Sequence, residues 1–200
     1  CSSKLLVWNQ VFADWVRQHS ADGPEVIAIG PLMPGAEAVT MGPRKSLRKS
    51  KIPKLIDDED TLFISWFDVA PVAQEIKNAN NRFPMPYTQE YSSAFFKDML
   101  KLLQDFDQVA LIFKPTRKLN NPRLSYPKET MDIVEKRNAS SRAVVVDDDT
   151  NPWVPIAIAD LCIGMPFTSP VLAAWHHGIP ALYHDPTGIA LNHKYQAVSD

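Results

Sequence analysis

Short apolar runs alternate with helically spaced stretches along most of the chain. Leu5 to Trp8 reads as a strand, Val11 to His19 as an amphipathic helix, and Val26 to Ile29 as a strand ended by Gly30-Pro31. The rhythm then breaks. Met33 to Lys54 is rich in Pro, Gly, Lys and Arg and has no apolar periodicity, so it reads as a linker. Beyond it, Leu62 to Phe67 is a β-rich run closed by Asp68 and Pro71. Tyr87 to Phe106 has helical spacing, with Phe95, Met99, Leu102 and Leu103 on one face. Val109 to Phe113 predicts a strand ending at Lys114-Pro115, and Lys128 to Arg137 a short helix. Ala143 to Val146 predicts a strand that runs into Asp147-Asp148-Asp149. Pro152 to Ala159 then reads as a helix and Leu161 to Met165 as a strand. Ser169 to His177 predicts a helix, with Pro170 suited to its first turn and Gly178 to its stop. Ala181 to Tyr183 closes the series as a strand.

These strands are short, apolar on both faces, and interleaved with helices. The pattern predicts an α/β fold with a parallel sheet covered on both sides. Ligands of such sheets bind beyond the carboxyl ends of the strands. Attention therefore goes to the residues after Phe67, Phe113, Val146, Met165 and Tyr183.

Composition narrows the function classes. The net charge of −2 gives no global attraction to nucleic acid or acidic lipid, so no nucleic-acid partner is expected. No apolar run approaches the roughly 18 residues of a membrane span, and no signal peptide opens the chain. Of the two cysteines, Cys162 sits inside Leu161-Cys162-Ile163 as a small buried hydrophobe. Cys1-Ser2-Ser3 lacks the tether of a lipoprotein start, because apolar structure begins at Leu5. A reducing, cytoplasmic setting is the simpler expectation. Two hundred residues suit one α/β domain plus part of another, and the missing initial Met points to a piece of a longer protein. The basic cluster Arg44, Lys45, Arg48, Lys49 and Lys51 reads as a solvated linker; contact with phosphates or with the inner face of a membrane is the other reading.

The strongest local signal is Pro166-Phe167-Thr168-Ser169-Pro170, which follows a buried strand and opens a helix. A helix start offers free N–H groups and partial positive charge, and thus a seat for phosphate. Thr and Ser are equally the preferred N-caps, so local chemistry leaves both readings open. Asp147 and Asp149 form a D-x-D pattern, but in a loop without other hard ligands, so no metal is expected there. His176-His177 suits a helix C-terminus. His184-Asp185 follows the last strand and either faces the cleft or forms a turn before Pro186. Asn138-Ala139-Ser140 matches a glycosylation sequon without other signs of secretion, and Trp153 and Trp175 are expected beside the core.

Asp160 through Pro170, followed by Gly178-Ile179-Pro180-Ala181-Leu182-Tyr183-His184-Asp185, resembles the C-terminal domain of GT-B glycosyltransferases. The Pro-Phe-Thr-Ser element resembles, more narrowly, the bacterial polysaccharide-biosynthesis proteins named for a PFTS motif. Phe67-Asp68-Val69-Ala70-Pro71 and Lys114-Pro115-Thr116-Arg117 fall where such proteins carry similar segments. The resemblance implies a Rossmann-like three-layer domain over residues 55–200 that binds a nucleotide-sugar. It also implies a basic linker over 34–54 and the last αβ unit of an N-terminal domain over 1–33. On that basis Lys114, Arg117, Phe167, Thr168, Ser169 and Pro170 would hold donor phosphate, while Asp68, His184 and Asp185 would border the cleft. The implied reaction transfers sugar from a nucleotide-sugar donor to a glycan acceptor of the bacterial surface, needs no metal or other cofactor, and relies on the missing N-terminal domain. A departure is the helix Pro170-Val171-Leu172-Ala173-Ala174-Trp175, which lacks the Glu that many GT-B proteins place against the donor ribose. The alternatives are a nucleotide-sugar epimerase of the same architecture and a non-catalytic flavodoxin-like binding module.

Overall fold

A computed structural model describes residues 4–7, 10–19, 23–29, 46–48, 52, 60–71, 88–121, 126, 130–131, 134, 142–166 and 168–188. The first unit is strand β1 (Lys4–Val7), helix α1 (Gln10–His19) and strand β2 (Glu25–Ala28), with the two strands parallel. Val7, Ala13 and Val26 form its small core.

The second sheet contains β3 (Leu62–Phe67), β4 (Val109–Lys114), β5 (Ala143–Val145), β6 (Leu161–Gly164) and β7 (Ala181–Tyr183). All of its pairings are parallel, in the order β5-β4-β3-β6-β7. Helix α2 (Gln89–Asp105) connects β3 to β4; α3 (Trp153–Ile158) precedes β6 and α4 (Ser169–His176) precedes β7. The fold is thus Rossmann-like, a parallel sheet between two helical layers. Of the helix expected over 128–137, Thr130, Met131 and Val134 are helical and the rest lies outside the described residues.

Alternation along β3 explains the layers. Ile64 and Trp66 pack with Tyr91, Phe95, Phe96 and Met99 of α2, while Phe67 packs with Trp153 and Ile156 on the opposite face. Trp66, Phe96 and Phe113 meet edge to face at 5.0–5.1 Å, the geometry that ring quadrupoles favour. Ser65 would be an orphan polar group in this interior, but its hydroxyl donates to the Pro155 carbonyl at 2.7 Å. Helix α2 starts at Thr88, whose side chain accepts from the Tyr91 N–H. Its last turn has no basic residue of its own; Arg142 supplies one, donating to the carbonyls of Leu103 and Phe106 at 2.9 and 3.0 Å.

From β3 the chain steps outward through β4 to β5, then returns to build β6 and β7 on the other side of β3. The direction of winding therefore reverses between β3 and β6. That reversal opens a crevice at the carboxyl edge, the place where open α/β sheets bind ligands.

Most of the expected linker lies outside the described residues, but Arg48 corrects its reading as a solvated chain. Arg48 donates to the Ile158 carbonyl and to Asp160 Oδ2, both at 2.8 Å, and its guanidinium lies 4.0 Å from the centre of the Phe63 ring. Asp160 Oδ2 also accepts from the Phe63 N–H at 3.0 Å. Ile52 is buried in the same cluster as Phe63 and Ile158. A basic residue was drawn out of solvent here because a carboxylate, a carbonyl and an aromatic face converge on its planar head. Arg48→Met is expected to lower unfolding free energy by about 1–3 kcal/mol, measured by urea titration, because Asp160 loses its charged partner.

Candidate functional site

A cavity of about 830 Å³ occupies the switch-point crevice. That volume lies within the roughly 300–1,000 Å³ of small-molecule sites. Four chain segments wall it: Phe67 to Val69 after β3, Lys114 to Arg117 at the end of β4, Asp148 to Trp153 between β5 and α3, and Thr168 to Pro170 at the start of α4. Of the residues expected to meet donor phosphate, Lys114, Arg117, Thr168, Ser169 and Pro170 therefore come together, with Asp68 beside them. Phe167 lies outside the described residues.

The loop after β4 is held from β3. Asp68 is 2% exposed, and its carboxylate accepts from the Thr116 N–H at 2.8 Å and from the Tyr126 hydroxyl. The Thr116 hydroxyl donates in turn to the Asp68 carbonyl. Burial pushes the Asp68 carboxyl above its ordinary value, although the bonds from Tyr126 and Thr116 pull the other way. Burial likewise raises the Tyr126 phenol, helped by the adjacent Asp68 charge.

Lys114 is not the solvated side chain common for lysine. It is 7% exposed, and its ammonium donates to the carbonyls of Pro115 at 2.8 Å and Asp148 at 2.7 Å. It thereby ties the β4 loop to the β5 loop and keeps one N–H for the cavity. Burial lowers its pKa against the pull of Asp148, Asp68 and Asp149. Arg117 is exposed and reaches back to the Thr116 carbonyl at 3.2 Å. On the facing wall, Asn151 Oδ1 accepts from the Trp153 N–H at 3.0 Å, while Trp153 is buried in the core and meets the edge of His177.

Thr168 occupies the N-cap position of α4 without capping it. Its hydroxyl donates instead to the Met165 carbonyl at 2.8 Å, and its carbonyl accepts from the Tyr183 hydroxyl at 3.1 Å. The first turn of α4 consequently has no side-chain cap, and Ser169 stands half-buried beside it. This close strand-to-helix approach depends on Gly164. A Cβ at that position would stand 2.6 Å from Val171 Cγ2 and still nearer to Thr168 Oγ1.

His184 and Asp185 are not among the described residues that line the cavity. His184 Nε2 lies 2.8 Å from Asp98 Oδ2 on α2, and the ring packs against Phe95. Asp185 Oδ1 accepts from the Thr187 N–H and hydroxyl at 3.0 and 2.9 Å, an Asx turn. From the D-x-D pattern Asp149 reaches the cavity together with Asp148, not Asp147. Among the described residues no group of three or more His, Cys, Asp or Glu side chains converges as a metal site would require.

The residues that sequence reasoning missed are Tyr126, Gly164, Asp148 and the role of Thr116. An isolated Gly at the end of an apolar run does mark close backbone approach, so Gly164 carried a readable signal. The other three act across loops and have no periodic signature.

The family model for polysaccharide biosynthesis PFTS motif proteins matches residues 2–199. The chain belongs to this family. No curated protein and no solved structure matches it. Membership assigns this PFTS-motif protein a role in polysaccharide biosynthesis. The motif reads Pro166-Phe167-Thr168-Ser169, and its last two residues line the cavity. Among the described residues no helix is long and apolar enough to cross a membrane.

Proposed function

We propose that the cavity binds the nucleotide of an activated sugar, and that the chain is the donor-binding half of a GT-B type glycosyltransferase building bacterial surface polysaccharide. The observation that carries this reading is that Thr168 and Ser169, from the family motif, line one cavity together with Lys114 and Arg117. Two donor sets in one cavity suit the charge that develops on a phosphate as the sugar departs. The uncapped first turn of α4 contributes N–H groups and the positive end of the helix dipole. Arg117 adds an exposed planar fork, and Lys114 an ammonium held by two carbonyls. Stabilisation by such preorganised groups is electrostatic catalysis of the departing phosphate. The acceptor and the base that activates it fall to the partner domain. Asp68 serves by fixing the loop that carries the cations.

Calorimetric titration with CMP, CDP and UDP tests the reading. One of them is expected to bind saturably. Arg117→Ala should weaken that binding about 10- to 100-fold, the worth of a charged hydrogen bond, and Ser169→Ala about 3- to 10-fold. Absence of saturable binding, or binding indifferent to both changes, would overturn the proposal.

A further inference from the structure

Resting on the reading that the cavity holds a nucleotide-sugar, we infer that its donor carries a single phosphate, as in a nucleoside-monophosphate sugar, rather than a pyrophosphate. The inference follows from the charges that face the cavity. Among the described residues of its lining, the cations are Lys114 and Arg117. Lys114 already directs two N–H groups to the carbonyls of Pro115 and Asp148, so its ammonium has one left to give. Arg117, exposed and bonded through one nitrogen to the Thr116 carbonyl, keeps further N–H groups of its planar fork for a ligand. Helix α4 adds roughly half a charge at its start.

Opposing these, Asp148 and Asp149 stand on the same lining, and the Asp68 carboxyl lies buried directly behind the cationic loop. Among the described lining residues two cations therefore meet two carboxylates before Asp68 is considered. One phosphodiester monoanion matches what remains, namely the α4 start, Arg117 and one proton of Lys114. A second phosphate brings another negative charge that no further cation among the described lining residues meets. Placed toward the β5 loop, it would approach Asp148 and Asp149, and like charges brought together discriminate strongly against a ligand. The acidic wall is better matched to the hydroxyl and amine donors of a nucleoside, which carbonyl and carboxylate oxygens accept. Site polarity then sets the direction of the bound donor, with phosphate against α4 and nucleoside along Asp148 to Asn151.

The test compares CMP with CDP and UMP with UDP on the 200-residue chain by calorimetry, without and with magnesium, and repeats the series on Asp149→Asn. For the base that binds, the monophosphate is expected to bind at least as tightly as the diphosphate in both conditions. Asp149→Asn changes the nucleoside contact of both ligands alike, so the readout is their ratio, which should shift several-fold toward the diphosphate. A diphosphate that binds more tightly than its monophosphate, with or without magnesium, overturns this inference and leaves the nucleotide reading intact. An unchanged ratio in Asp149→Asn removes the acidic wall as its cause and likewise overturns it. Failure of every nucleotide to bind overturns the inference and the nucleotide reading together.

Discussion

Asp68→Ala is expected to lower the unfolding free energy by about 3 kcal/mol, because a buried donor and a part-buried one lose their acceptor at once. The Thr116 N–H and the Tyr126 hydroxyl both end on this carboxylate, the Tyr126 bond in the buried interior and the Thr116 bond part-buried. A stranded buried donor costs about 1–3 kcal/mol and the part-buried Thr116 N–H less, and the sum is a large part of the 5–15 kcal/mol that typical domains have. Asp68→Asn keeps an acceptor for Thr116 and asks only that the Tyr126 proton rotate, so a loss of about 1 kcal/mol is expected. Urea unfolding of both variants checks the order. The pH dependence gives a second check. Burial raises this carboxyl above 3.8, so its titration contributes stability that is fully present below the unfolded value and is lost as pH rises through the folded one. The stability of the wild type relative to Asp68→Asn should therefore decline with rising pH across that window. A relative stability that instead grows with pH would mean that the hydrogen bonds outweigh desolvation at Asp68.

The sheet was legible because β3, β4 and β6 are buried on both faces and so read as unbroken apolar runs. Five of the expected strands form the parallel sheet with ends shifted by no more than a residue, as β4 shows by including Lys114. The location of the cavity was legible for a related reason, since strand ends follow directly from strand positions. What the sequence concealed were contacts between distant loops. Asp68 meets Thr116 and Tyr126 across 48 and 58 residues, and Arg48 meets Asp160 across 112, with no spacing that periodicity can register. Lys114 shows the same limit at one residue. A cation at a strand end was evident, but not that two backbone carbonyls would claim most of its hydrogen-bonding capacity. His184 was placed toward the cleft because it follows a strand; the side chain turns instead to Asp98 and the α2 layer.

Gly164→Ala should abolish most nucleotide affinity while leaving a folded protein, and Gly178→Ala should leave both the fold and the affinity in place. The added methyl at Gly164 would meet Val171 Cγ2 at 2.6 Å, and Thr168 Oγ1 closer still. Val171 is fully buried and has no room to retreat, while Thr168 Oγ1 is committed to the Met165 carbonyl. The remaining way to relieve the clash is outward movement of the first turn of α4, which carries Ser169 into the cavity. Overpacking of this kind costs about 1–3 kcal/mol of stability. A displacement of about 1 Å at a positioned site can cost about 100-fold in function, so a loss of affinity beyond tenfold is expected. Gly178 provides the matched comparison. Its φ of 68° is strained for any residue with a Cβ, yet nothing lies within 4 Å of where that atom would go. Alanine there should cost about 1–2 kcal/mol through the backbone alone and leave the cavity unmoved. Two variants of similar stability would then differ in binding. Wild-type affinity in Gly164→Ala would show that the start of α4 does not hold the ligand, since that turn cannot stay in place once the methyl is present.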